Sequence, residues 1–378
     1  MKEALKIAVL GGGSFGTTIC NLIAESGARP TLWLRSQERA DEINHQHKNS
    51  YYLADFKLNP YVKATTDIEQ AVIDAHIVFV AVPSHSCRSV SQKISNVISA
   101  QTMVVSVTKG IESAGFKLMS QVLKEELPNN AIGVLSGPNL AVEIVQRQLT
   151  GTVIASEDPQ FIEAVQSVLQ SNYFRVYASQ DIFGVELGGA LKNIYAIISG
   201  MAAAMELGDN TRAMLMTRSL AEMSRFAVSM GANPLTFLGL AGVGDLIVTC
   251  SSSLSRNYQV GHAIGNGQTL KQATKQLGQV AEGGNGGVEV ELEKGILRHV
   301  AVQHLYSRLS APLAEGKNEA DLIAALHPTP AVCGYPRKAA LSMELSKEQI
   351  ADAAVKKDEE KEKKEAKGKA KGNEQTNK

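Results

Sequence analysis

A short apolar run, Ile7-Ala8-Val9-Leu10, passes directly into Gly11-Gly12-Gly13-Ser14-Phe15-Gly16 and then into a segment of helical character ending at Gly27. This Gly-x-Gly-x-x-Gly spacing constrains the chain more than any other feature, because it demands a strand, a tight loop and a helix start in fixed order. Gly11 permits the turn, Gly13 lets a pyrophosphate approach the backbone, and Gly16 lets helix and strand pack closely. Unpaired amides and the positive end of the helix then face the phosphates. A glycine-rich turn without a ligand is the plainer alternative, and the strand-loop-helix context weighs against it.

The next strand, Pro30-Thr31-Leu32-Trp33-Leu34, leads to the place where an NAD-specific protein carries Asp or Glu for the adenine ribose. Here that place holds Arg35, with Arg39 nearby. A guanidinium cannot accept from ribose hydroxyls but pairs well with a 2′-phosphate. NADPH is therefore the expected cofactor, with NADH accepted. A surface arginine at a strand end is the bland reading of the same residue.

Further strand-like runs follow at His76–Val82, Thr102–Val107, Ala131–Leu135, Gly151–Ser156 and Tyr173–Ala178. Their apolarity is continuous rather than alternating, as suits parallel strands buried on both faces. The expected fold is α/β, with a doubly wound, mostly parallel sheet of Rossmann type over residues 1–183. From Gly184 the pattern turns helical and rich in Ala, Met and Leu, which predicts an all-helical second domain over 184–283. The apolar stretch Ile194–Met205 is too short to span a bilayer and reads as a buried helix. Zero formal net charge gives no indication of nucleic acid as a partner. The cysteines Cys20, Cys87, Cys250 and Cys333 are far apart and suggest neither a disulfide framework nor a metal site. A cytoplasmic setting without membrane insertion is expected, and a homodimer is compatible with this reading.

The crevice between two such domains is the default ligand site. Lys109 follows a buried strand end, where a point charge can meet a phosphate or carbonyl, though a solvated surface lysine has the same signature. Lys192 is a lone cation on a helix otherwise made of small apolar residues. Partial desolvation would lower its pKa toward an acid/base range, whereas a lysine snorkelling from a helix end is the alternative. Ser255-Arg256-Asn257 sets a hydroxyl, a guanidinium and an amide side by side, a donor-rich set suited to phosphate. Asp245 sits in a glycine-flanked turn and would otherwise be read as a helix N-cap. His85, just past a strand, reads as a loop histidine.

Residues from about Lys6 to Glu282 closely resemble the bacterial NAD(P)-dependent glycerol-3-phosphate dehydrogenases. The resemblance rests on seven blocks in order: Gly11 to Gly16, Val82-Pro83-Ser84-His85, Thr108 to Glu112, Ser136-Gly137-Pro138, Val185 to Asn193, Gly239 to Asp245, and Ser255-Arg256-Asn257. It implies cofactor contacts at Gly11, Gly13, Ser14, Phe15, Gly16, Arg35 and Lys109, with Ala141, Arg256, Val280 and Glu282 contributing from later in the chain. It implies Lys192 as the catalytic acid/base. Substrate contacts would fall on Lys109, Gly137, Asn139, Lys192, Asp245, Ser255, Arg256 and Asn257. Asn139 departs from the Ser or Thr usual in its block, and an amide can still donate to a phosphate or hydroxyl. The implied reaction is reversible reduction of dihydroxyacetone phosphate to sn-glycerol 3-phosphate, without a metal, supplying glycerophospholipid synthesis. The other reading is a catalytically impaired NADPH-binding chimera with an incomplete helical domain.

Past Glu282 the pattern changes. Gly283-Gly284-Asn285-Gly286-Gly287 reads as a flexible joint. Residues 288–341, and His327 to Pro336 above all, resemble a fragment of chorismate-utilising enzymes of the isochorismate synthase kind. The glutamates that hold magnesium in that family are absent, so no chorismate activity is expected. The foreign-looking segment spans 284–342. A mixed-charge tail, 343–378, has almost nothing to bury and is expected to be disordered.

Overall fold

The structure is a computed structural model, and it describes residues 5–112, 115 and 117–277. Val280, Glu282, the segment 284–342 and the tail 343–378 lie outside the described residues. The strands are β1 (Ile7–Leu10), β2 (Thr31–Trp33), β3 (Lys63–Thr65), β4 (Ile77–Val80), β5 (Met103–Ser106), β6 (Ile111–Glu112), β7 (Lys117–Leu118), β8 (Ile132–Ser136), β9 (Thr150–Ala155) and β10 (Phe174–Ser179). Those of the first lobe alternate with helices α1 (Ser14–Glu25), α2 (Gln37–Gln46), α3 (Ile68–Val72), α4 (Ser84–Ile94), α5 (Met119–Glu126), α6 (Ala141–Val145) and α7 (Pro159–Leu169).

Eight strands form one sheet in the order β3-β2-β1-β4-β5-β8-β9-β10. Every neighbouring pair is parallel except β8 with β9. The chain winds outward from β1 in both directions, so a crevice opens beyond the carboxyl ends of β1 and β4, where the winding reverses. Side chains alternate between two cores. Ile7, Val9, Ile77 and Phe79 point into the layer with α1 and α7. Ala8, Leu10, Val78 and Val80 point into the layer with α4 and α5. A strand covered on both faces needs apolar residues at every position, which is why these runs carry no alternation.

The second lobe is helical throughout its described part: α8 (Ile182–Ala204), α9 (Asp209–Ser229), α10 (Asp245–Ser251), α11 (Arg256–Gly265) and α12 (Leu270–Leu277). A 3-10 turn, Pro234–Leu238, and a π-helical turn, Leu240–Gly244, join α9 to α10. The stretch Ile194–Met205, read from sequence as too short to span a bilayer, belongs mostly to the 23-residue helix α8, which is long and apolar enough by composition. Its most apolar window is 78% buried inside the protein, so the apolarity serves the core. His85 is corrected from loop to helix, standing exposed in the first turn of α4. Cys20, Cys87 and Cys250 are buried free thiols, and Cys333 lies outside the described residues.

Candidate active site

β1 ends at Leu10, and Gly11 turns the chain with φ +127°, a region side-chain-bearing residues avoid. A Cβ on Gly11 would lie 2.4 Å from the Ala81 carbonyl oxygen, and one on Gly16 would lie 2.0 Å from the Gly11 carbonyl oxygen. Gly13 is different: a Cβ there meets nothing within 4 Å. It caps α1 without a side-chain acceptor, leaving the first amides of the helix directed at an open cleft. That is the cradle a pyrophosphate requires. The loop is braced from behind by the fully buried Asn49, whose Nδ2 donates to the Gly12 carbonyl at 3.1 Å and to Thr17 Oγ1 at 2.8 Å.

The cleft over this loop encloses about 240 Å³ and is walled by Gly11 to Gly16, Arg35, Arg39 and the α4 face that carries Lys93. Arg35 is exposed at its rim. Arg39 lies 5.1 Å over the Tyr51 ring and 5.4 Å over the Tyr52 ring. A second cleft of about 300 Å³ continues from it, sharing Ser14, Phe15, Tyr52 and Arg256. Its far end is formed by Lys109, Asn139, Ala141, Lys192, Ser255 and Asn257. Residues from both lobes meet here.

Behind the two lysines that line the second cleft lies Asp245, 1% exposed at the first position of α10. Lys192 donates to its Oδ1 at 2.5 Å, and Lys109 donates to its Oδ2 at 2.7 Å. Lys192 also donates to Thr249 Oγ1 at 2.7 Å, while Lys109 also donates to the Gly137 carbonyl at 2.9 Å. One carboxylate therefore joins a cation from the sheet edge to a cation from the helical lobe. Lys192 is 6% exposed, and its pKa is lowered to about 8. Burial is the main cause; Asp245 pulls the value back up and Lys109 pushes it further down. Asp245 is therefore corrected from helix N-cap to the first residue of α10, whose N-cap is Gly244, and its carboxylate is taken up by the two lysines.

Acceptors line the same space. Asn139 Nδ2 donates to Thr152 Oγ1 at 2.9 Å, and Asn257 Nδ2 donates to Asn193 Oδ1 at 2.9 Å. The two amide oxygens, Asn139 Oδ1 and Asn257 Oδ1, are buried with no hydrogen-bond partner among the described residues. Buried acceptors of this kind are costly unless a ligand donor satisfies them. Ser255 is the N-cap of α11, accepting from the Tyr258 amide at 3.3 Å. Arg256 and Asn257 open that helix, so the guanidinium sits at its positive end.

Comparison with known proteins shows the family to which this fold belongs. The family model described as the NAD-dependent glycerol-3-phosphate dehydrogenase N-terminus matches residues 6–162, and that of the C-terminus matches 181–298. The glycerol-3-phosphate dehydrogenase (NAD(P)+) of Acinetobacter baylyi is 59% identical over 289 residues, 76% of this chain and 81% of that protein. The chain belongs to the NAD-dependent glycerol-3-phosphate dehydrogenase family. The Pseudomonas paraeruginosa glycerol-3-phosphate dehydrogenase is 54% identical over 323 residues, 85% of this chain and 94% of that protein. The crystal structure of the Coxiella burnetii glycerol-3-phosphate dehydrogenase has a TM-score of 0.74 at 32% identity, covering 85% of this chain and 97% of that one. A chorismate binding enzyme model matches 274–352, overlapping the end of the dehydrogenase match.

Within this glycerol-3-phosphate dehydrogenase fold, the expected residues divide between the two clefts. Gly11, Gly13, Gly16 and Arg35 line the first; Lys109, Asn139, Ala141, Lys192, Ser255 and Asn257 line the second; Ser14, Phe15 and Arg256 line both. Gly137 and Asp245 line neither; each accepts a hydrogen bond from a lysine that lines the second. Val280 and Glu282 fall outside the described residues. Thr249, Asn193 and Tyr52 line the site without having been singled out from sequence. Thr249 was legible, since it stands four residues after Asp245 and so on the same face of α10. Tyr52 carries no comparable signal, because a loop brings it to the clefts.

Proposed function

We propose that this chain reduces dihydroxyacetone phosphate to sn-glycerol 3-phosphate, reversibly, preferring NADPH and accepting NADH. The observation that carries this reading is the buried Lys192 ammonium, held by Asp245 and Thr249 in a cleft continuous with the glycine loop. The open space at Gly13 and the unpaired amides at α1 fit a bound dinucleotide. When bound, the nicotinamide cofactor supplies a hydride to the substrate's carbonyl carbon. Lys192 would protonate the carbonyl oxygen, and a pKa near 8 leaves it mostly charged at neutral pH while still able to release a proton. Lys109 would hold the reacting end from the opposite side of Asp245. Arg256 and Asn257, at the start of α11, would take the phosphate, spending remote binding energy on orienting the reacting carbon.

On this reading residues 1–183 carry the cofactor and 184–283 the catalytic lysine and phosphate site. Cytoplasmic placement without membrane insertion fits the buried free thiols and the buried faces of α8. The product would supply glycerophospholipid synthesis. The experiment is loss of NADPH absorbance on adding dihydroxyacetone phosphate to the purified full chain. Glycerol 3-phosphate formed in step with NADPH consumed is the expected result; NADPH binding without turnover would support the impaired chimera instead.

The glycine loop makes a separate prediction. Gly13→Ala should keep Tm within about 3 °C, since the added methyl meets no protein atom. It should weaken NADPH binding about tenfold or more, roughly 1.4 kcal/mol, by standing where phosphate approaches. Gly16→Ala, driven into the Gly11 carbonyl, should instead lower Tm, with overpacking costing about 1–3 kcal/mol. Thermal melts and NADPH fluorescence titrations separate the two.

A further inference from the structure

Helix α5 begins without a cap of its own. Its N-cap residue is Leu118, whose side chain has no acceptor, and only the Leu118 amide is satisfied locally, by Gln121 Oε1 at 2.9 Å. The missing acceptor arrives from the other lobe. Glu186 of α8, 2% exposed, accepts the Ser120 amide at 2.9 Å through one oxygen and the Ser120 hydroxyl through the other. Burial pushes its carboxyl up to about 7, with the Ser120 hydroxyl and the first amides of α5 pulling against it.

The position of this clamp matters because of what lies on either side. Lys109 is followed at once by the hairpin β6–β7, which runs straight into α5. Ile111 and Leu118 of that hairpin pack with Leu187, Ala190 and Leu191 of α8. Arg88 of α4 ties the same hairpin to α5 by pairing with Glu112, Glu125 and Glu126. Lys109, hairpin and α5 are thus joined into one block, and Glu186 is a hydrogen-bonded tie from α8 to that block. Six residues further along α8 stands Lys192.

We propose that Glu186 is a positioning residue, which by capping α5 across the lobes fixes Lys109 and Lys192 in register on the two oxygens of Asp245. It touches neither cofactor cleft nor reacting atoms; it acts through the α5 block. This rests on the function proposed above, and turnover by the wild-type chain tests that function separately. The test compares Glu186→Gln and Ser120→Ala with wild type for kcat, KM for dihydroxyacetone phosphate, NADPH Kd, Tm and the pH dependence of kcat. A misplacement of about 1 Å can cost up to about a hundredfold, so Glu186→Gln should lose about tenfold in kcat/KM. NADPH Kd should change less than about twofold, because the glycine loop is not held by this clamp. The alkaline limb of kcat should move upward, since a Lys109 drawn away no longer depresses Lys192. Ser120→Ala, which keeps the amide bond, should show a smaller loss, and the double variant should lose less than the two effects multiplied. A lower Tm with kcat, KM and the pH limb unchanged would make Glu186 a structural cap and overturn the proposal. If Glu186→Gln does not fold, Ser120→Ala decides alone: an unmoved KM and pH limb would overturn it equally.

Discussion

Lys192→Met should lower kcat for dihydroxyacetone phosphate reduction by about a thousandfold, within the range that a positioned general acid supplies. NADPH should bind as before, because Lys192 lines the second cleft and not the glycine loop. Methionine keeps an unbranched stem in the space of a residue that is 6% exposed, so the fold is spared the cavity that alanine would leave. Removing this ammonium also relieves Asp245 of one partner while Lys109 keeps the other oxygen. The carboxylate therefore stays paired, and the loss should fall on kcat more than on Tm. Steady-state kinetics with a fluorescence titration of NADPH checks both halves. Equal losses in kcat and in NADPH affinity would mean that the substitution disturbed the whole crevice.

Asp245→Asn is expected to act on both lysines at once. The carboxylate holds Lys192 at 2.5 Å and Lys109 at 2.7 Å, and an amide of the same shape offers one neutral acceptor in its place. Two facing cations would then lack a counter-charge, and breaking a buried ion pair from one side costs about 3–5 kcal/mol. The cheapest relief is for Lys192 to lose its proton. Of the influences on that amine, Asp245 raises the pKa, whereas burial and Lys109 lower it. Without Asp245 the value must fall below about 8, and less of the acid form remains at neutral pH. Reduction at pH 7 should drop about a hundredfold, with the alkaline limb displaced to lower pH and Tm reduced. A Tm and pH profile both equal to wild type would show that the two cations do not depend on this carboxylate.

The sheet was readable because its burial is simple. β1, β4 and β5 lie between two helical layers, so their apolarity is continuous and stands out from the sequence. β3, three residues at the sheet edge with an exposed lysine, has no such run and leaves no signal. The β6–β7 hairpin is shorter still, two residues a strand, and Ile111 and Leu118 join the core of the helical lobe. The antiparallel turn from β8 to β9 is likewise a matter of chain connection, since either direction buries the same side chains.

The site follows the same division. Lys192 was legible as a cation stranded on an apolar helix, and the glycines as a spacing. What joins Lys109 to Lys192 was not, because Asp245 lies 136 residues from one and 53 from the other. Its flanking glycines suggested a turn, and Gly242 lets the π-helical turn fold back onto the 3-10 turn before it: a Cβ there would meet Phe237 backbone at 2.3 Å. Asn49 and Glu186 were silent for a related reason. Each acts by hydrogen-bonding a distant backbone, and a backbone has no sequence signature.

The central claim is that the Lys192 ammonium is the proton source, and the pH dependence of kcat in both directions measures it most directly. With saturating NADPH and dihydroxyacetone phosphate, reduction should be level near neutrality and decline through about pH 8, where the buried amine loses its proton. Oxidation of glycerol 3-phosphate needs the neutral amine and should rise through the same pH. Reduction and oxidation profiles that both run flat between about pH 6 and 10, or that keep the same limb in Lys192→Met, would contradict the account.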